Sequence, residues 1–110
     1  MQMNTYQQLA ERTMNPEQDQ REAFTNFAFG LAGETGETID LLKKILFHGH
    51  DLELNKDKLV KELGDICWYV AGIATTAWLS LDEIAVTNIE KLKARYPNGF
   101  NQQDSIQRAI

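Results

Sequence analysis

Apolar residues at three- and four-residue steps run through most of this chain. Phe24, Phe27, Leu31, Ile39, Leu42, Ile45 and Leu46 form one series, and Leu59, Leu63, Ile66, Val70, Ile73 and Ala77 form another. That period suits one face of a helix and does not suit a strand, whose side chains alternate in twos. Only 2 Pro and 7 Gly punctuate 110 residues, too few turn formers for an all-β fold. The breaks that exist are informative. Asn15-Pro16 ends a first helix of about Asn4 to Arg12, because the residue before proline is pushed out of the α region. A long helix is expected from about Gln18 to Phe47, then a His48-Gly49-His50-Asp51 loop. A third runs from about Asn55 to Trp78. Ser80 to Glu83 has the form of a capping box and starts a fourth, Leu81 to Arg95, with Ile84, Ala85, Ile89 and Leu92 inward. Pro97 and Gly99 stop it, leaving a polar tail with at most one short helical turn.

The expected fold is therefore all-α, an antiparallel helical bundle in one domain spanning residues 1–110. Its apolar stripes are generous for so short a chain, so part of them should be covered by another copy, in a homodimer or homotetramer. The single Cys67 excludes an internal disulfide and a Cys-rich zinc site, and reads as a small buried hydrophobe. The N-terminus lacks the basic and apolar regions of a signal peptide, and no stretch approaches a membrane span, so a cytoplasmic setting is expected. Sixteen acidic residues against 11 basic ones give a net charge of −5. Nucleic acid and anionic membranes are poor partners for such a chain. An acidic site can nevertheless hold cations that recruit an anion.

The acid excess has a pattern. Glu34 and Glu37 are three residues apart on the second helix, and Glu62 and Asp65 three apart on the third. Such pairs share a helix face, with Cβ atoms about 5–6 Å apart. A short loop makes the two helices antiparallel, so the pairs can face each other. Four converging carboxylates repel and raise their own pKa values unless a cation lies among them. The donors are all oxygen, which favours Mg²⁺, or Mn²⁺ in its place, over Zn²⁺. One i, i+3 pair alone is usually a solvated face. Two facing pairs, the first flanked by Gly30-Leu31-Ala32-Gly33, are less usual. A ferritin-like di-iron site wants Glu-x-x-His, and neither His48 nor His50 has that spacing. On the fourth helix Asn88, Lys91 and Arg95 share a face; an amide and two cations suit phosphate oxygens, although an exposed helix carries such rows too. Lys61 beside Glu62 either joins that cationic set or faces solvent.

With these residues in view, the chain resembles the MazG-like nucleotide pyrophosphohydrolases. Glu34-Thr-Gly-Glu37 followed by Lys61-Glu62-Leu-Gly-Asp65 is similar to that family's two acidic motifs. Phe47-His48-Gly49-His50, Trp68-Tyr69 and Asn88 to Phe100 extend the likeness to the short, single-domain branch, over roughly Tyr6 to Phe100. Two departures are small: Gly33 stands where many relatives carry another Glu, and Asp40 where many have an apolar or small residue.

The resemblance implies an all-α NTP pyrophosphatase fold, shared with dimeric dUTPases. It implies hydrolysis of a nucleoside triphosphate, commonly a deoxynucleotide or a non-standard one, to the monophosphate and pyrophosphate. Glu34, Glu37, Glu62 and Asp65 would bind Mg²⁺, and Asn88, Lys91 and Arg95 would contact phosphates, with Lys61 as a further candidate. Glu34 or Glu37 would orient or deprotonate the attacking water, and the sequence does not choose between them. Tyr69, one turn past Asp65, and Phe27, two turns before Glu34, are the candidate base pocket, although Phe27 reads more readily as core. Trp68 and Trp78 read as core or interface residues, and His48 and His50 as turn residues. A nucleotide or metal sensor without turnover and a structural dimerisation unit are the competing functions.

Overall fold

A computed structural model of the chain describes residues 1–108. Five helices follow in order: α1 (Met3–Glu11), α2 (Gln20–Phe47), α3 (Leu52–Thr76), α4 (Leu81–Arg95) and α5 (Gln102–Ile106). No strand occurs among the described residues, so the all-α expectation holds. The last two residues of the expected tail, 109 and 110, lie outside the described residues.

The helix ends follow from local chemistry. The Asp19 side chain accepts the Glu22 N–H at 2.8 Å and starts α2 two residues later than the sequence suggested. Asp51 accepts from the N–H groups of Glu53 and Leu54, which starts α3 at Leu52 rather than Asn55. Between α2 and α3, Gly49 takes φ 73°, a left-handed turn that lets the chain reverse. Ser80 Oγ accepts the Glu83 N–H at 3.1 Å, one half of the expected capping box. α3 closes earlier than expected, at Thr76. Trp78 N–H donates to Thr75 O and Leu79 N–H to Ala74 O, a Schellman closure. Its left-handed position is occupied by Trp78, at φ 60°, where Gly is the usual residue.

α2 and α3 form a long antiparallel hairpin, and α1 lies across the far end of α3 and packs against both α3 and α4. Ala10, Ala71, Ala74 and Leu81 form the core there, with Tyr6, Met14, Trp68 and Val70 packed on it. α1 also supplies polar ties. Gln7 donates to Thr75 Oγ1 and Leu79 O and accepts the Leu81 N–H, while Asn4 accepts the Asp82 N–H. Trp68 Nε1 donates to Thr13 Oγ1 at 2.8 Å.

Several residues expected inside are not. Ile39, Leu42, Leu46, Leu63, Ile84, Ile89 and Leu92 are exposed on the single chain, and Trp78 is 91% exposed. Cys67 is also exposed rather than buried, on an apolar face with Tyr6, Ile66 and Val70. The reason is geometric: a two-helix hairpin with one crossing helix cannot cover both sides of its own stripes. The whole molecule shows the same shortfall. Its radius of gyration is 17.1 Å, against roughly 13 Å for a compact chain of this length.

Candidate metal centre

The carboxylates sit on the facing sides of α2 and α3, midway along the hairpin. One oxygen each from Glu34, Glu62 and Asp65 lies within 4.8 Å of the others. Glu34 and Glu62 are half-buried, and the Oε2 atom of each is shielded from solvent with no hydrogen-bond partner. Unpartnered buried oxygens are costly, and a cation satisfies both at once. The donor set is oxygen only, so a hard divalent cation fits these residues. The strain shows in Glu34, whose pKa is raised from 4.5 to about 7. Burial is the main cause, followed by the adjoining Glu62 carboxyl and the negative charges of Glu37 and Asp65.

Glu37 stands outside that three-oxygen group. It is exposed one turn toward the loop, where it and Glu62 border a cleft of about 490 Å³. Gly33 and Gly36 also line the cleft, and a Cβ on either would meet nothing within 4 Å. Lys44, His50, Asn55 and Lys58 complete much of its wall. The sequence reading did not assign these lysines. Their signal was present in the steps Glu37–Asp40–Lys44 and Asn55–Lys58–Glu62, which extend each acidic face toward the loop. Asp40 is held by Lys44 at 2.9 Å and by Lys43 at 3.2 Å, and these cations keep its carboxyl below the usual range.

On the other side of the carboxylates lie the aromatic residues. Phe27 is only 3% exposed and stands edge-on to Trp68 and Tyr69, with ring centroids 5.6 and 6.4 Å away. It packs on Gly72, and Tyr69 lies on Gly30; a Cβ at either glycine would overlap the facing ring. Phe27 also reaches the wall of a second cleft, of about 590 Å³, with Gln18 and Trp78. Lys61 is exposed on α3. Asn88 and Lys91 are exposed and Arg95 half-buried on α4, a helix that packs chiefly on α1 rather than beside the carboxylates.

Residues 23–100 match the MazG nucleotide pyrophosphohydrolase domain. The chain belongs to that family. The match takes in both acidic pairs and the whole of α3 and α4, so the carboxylate centre lies inside the family domain. The chain is also similar to the Gene 37 protein of Mycobacterium phage L5, 37% identical over 86 residues, or 76% of this chain and 75% of that protein. No solved structure matches it. Membership in the MazG family brings nucleotide pyrophosphohydrolase chemistry in general, with a divalent cation. No helix among the described residues is long and apolar enough to cross a membrane.

Proposed function

We propose that this MazG-family chain hydrolyses a nucleoside triphosphate, a deoxynucleotide or a non-standard nucleotide, to the monophosphate and pyrophosphate. The observation that carries the reading is the convergence of Glu34, Glu62 and Asp65 with two buried, unpartnered oxygens among them. These three residues, with Glu37 beside them, would hold Mg²⁺, or Mn²⁺ in its place. When bound, the cation supplies charge neutralisation on the phosphates and a more acidic water.

The chain's own residues do the rest. Glu37 lies at the rim of the oxygen group, where it can orient a water and take its proton as the water attacks the α-phosphorus. Glu34 remains the second candidate for that role. The water's oxygen forms the new bond to phosphorus, and the bond to the bridging oxygen of pyrophosphate breaks in line with it. Asn88, Lys91 and Arg95, with Lys61, are the proposed donors to phosphate oxygens. Because α4 packs away from the carboxylates, Asn88, Lys91 and Arg95 would reach a substrate there through an assembly of copies, a homodimer or homotetramer. The base would lie toward Phe27 and Tyr69. The setting is cytoplasmic, and neither nucleic acid nor a membrane is a partner.

The test is a panel of NTPs and dNTPs with Mg²⁺, assayed for monophosphate and pyrophosphate. Glu37→Gln and Asp65→Asn should each abolish pyrophosphate release while the helical signal persists. Full activity in either variant overturns the assignment, and nucleotide binding without product would make the chain a sensor.

A further inference from the structure

The cleft between the loop end of α2 and the start of α3 has a use that the metal centre alone does not supply. Its volume of about 490 Å³ lies in the range of small-ligand sites, roughly 300–1,000 Å³. It is continuous with the carboxylates, since Glu62 belongs to both. Gly33 and Gly36 leave part of its α2 wall bare beside Glu37, Asp40, Leu41 and Lys44, so a ligand can approach the helix backbone there.

Its cations are arranged unequally. Lys44 is held by Asp40, whereas Lys58 makes no ion pair with any described residue. Lys58 is one turn from Glu62, about 6 Å along the axis. The order along the hairpin is also directional. On α2 it runs from Phe27 through Glu34 to Lys44, and on α3 from Tyr69 through Asp65 and Glu62 to Lys58. Aromatic residues stand at one end, carboxylates in the middle, and the two lysines at the other, where Asp40 offsets Lys44 and leaves Lys58 as the unpaired charge. A nucleotide has the same polarity: base, first phosphate, terminal phosphates.

We propose that this cleft seats the pyrophosphate end of the substrate, with Lys58 and Lys44 binding its oxygens and His50 bordering it from the loop. The inference rests on the reading of the carboxylates as the hydrolytic centre. It makes Lys58 and Lys44 the residues that favour a triphosphate over a diphosphate, because only a triphosphate fills the lysine end while its first phosphate lies at the carboxylates.

Inorganic pyrophosphate with Mg²⁺ is the probe, titrated calorimetrically into the full chain. Lys58→Met and Lys44→Met should each weaken its binding at least ten-fold and raise KM for the triphosphate more than they lower kcat. Lys58→Arg should restore most of the affinity. Lys56→Met, which removes a lysine paired with Glu53 at 2.7 Å outside the cleft, should change nothing. Wild-type affinity in both Met variants, or no pyrophosphate binding by the wild type, overturns the inference. A wild type that turns over no nucleotide overturns the hydrolase reading instead, and pyrophosphate binding then decides the cleft by itself.

Discussion

Glu34 shows what a single side chain can report. With no cation bound, its pKa is about 7, raised mainly by burial and then by the neighbouring carboxyls. A raised pKa means that the folded state holds this proton more tightly than the unfolded one. Its contribution to stability is therefore fully present below about pH 4.5 and is lost as pH rises through about 7. A cation must displace the same proton, so its affinity rises over that window. The expected result is a Mg²⁺-induced rise in melting temperature that is larger at pH 8 than at pH 5. Glu34→Gln should flatten the pH dependence of the metal-free melt and shrink the Mg²⁺ response. Equal responses at both pH values would contradict the geometry. The spacing of the acidic pairs was legible in the sequence, but the inequality among them was not. Which carboxyl is shielded depends on how the two helices rotate about their axes, and i, i+3 spacing is silent on that. Trp78 was even less legible, because no pattern announces a tryptophan at φ 60°. A non-glycine residue there costs roughly 1–2 kcal/mol. Trp78→Gly should therefore be more stable than Trp78→Ala by about 1 kcal/mol in urea denaturation, a comparison that cancels the loss of the indole.

At the scale of elements, the α2–α3 hairpin was readable in outline from apolar periodicity and the His48–Asp51 loop. Its ends shifted where a carboxylate caps the first turn, as Asp51 does for α3. A glycine inside a helix is either a weak point or a place of close approach, and the structure separates the two cases. Gly30 lies under the Tyr69 ring, so Gly30→Ala forces the ring away and should destabilise by about 1–3 kcal/mol. Gly36 faces open cleft, so Gly36→Ala meets no atom and should gain up to about 1 kcal/mol from helix propensity. Denaturant midpoints for the two variants should move in opposite directions. A matching loss at both positions would mean that the hairpin is packed differently.

The whole molecule is more open than its mass allows for a lone chain. It exposes 8282 Å², against roughly 6,200 Å² for a compact monomer of 12.5 kDa. Much of the excess is apolar: Leu46 and Phe47 are 71% and 77% exposed, and Ile39 and Ile89 are at least half exposed. Periodicity gave the existence of these stripes correctly. It could not say whether the cover comes from the same chain, because a helix face carries no mark of which neighbour buries it. In the proposed assembly, a second copy would be the cover, and it would also bring Asn88, Lys91 and Arg95 toward carboxylates that their own chain leaves distant. Sedimentation at micromolar concentration should therefore show a dimer or tetramer, with a melting temperature that falls on dilution because association stabilises the folded chain. Ile39→Asp and Ile89→Asp place a charge on faces that are exposed in one chain. In an isolated monomer each should shift stability by no more than about 0.5 kcal/mol. In an assembly, a variant whose aspartate falls within the interface should dissociate it and lower the melting temperature strongly. A wild type that sediments as a monomer, with a melt independent of concentration, would remove the assembly from the mechanism and leave Lys61 and the cleft lysines as the proposed phosphate donors on the hairpin itself.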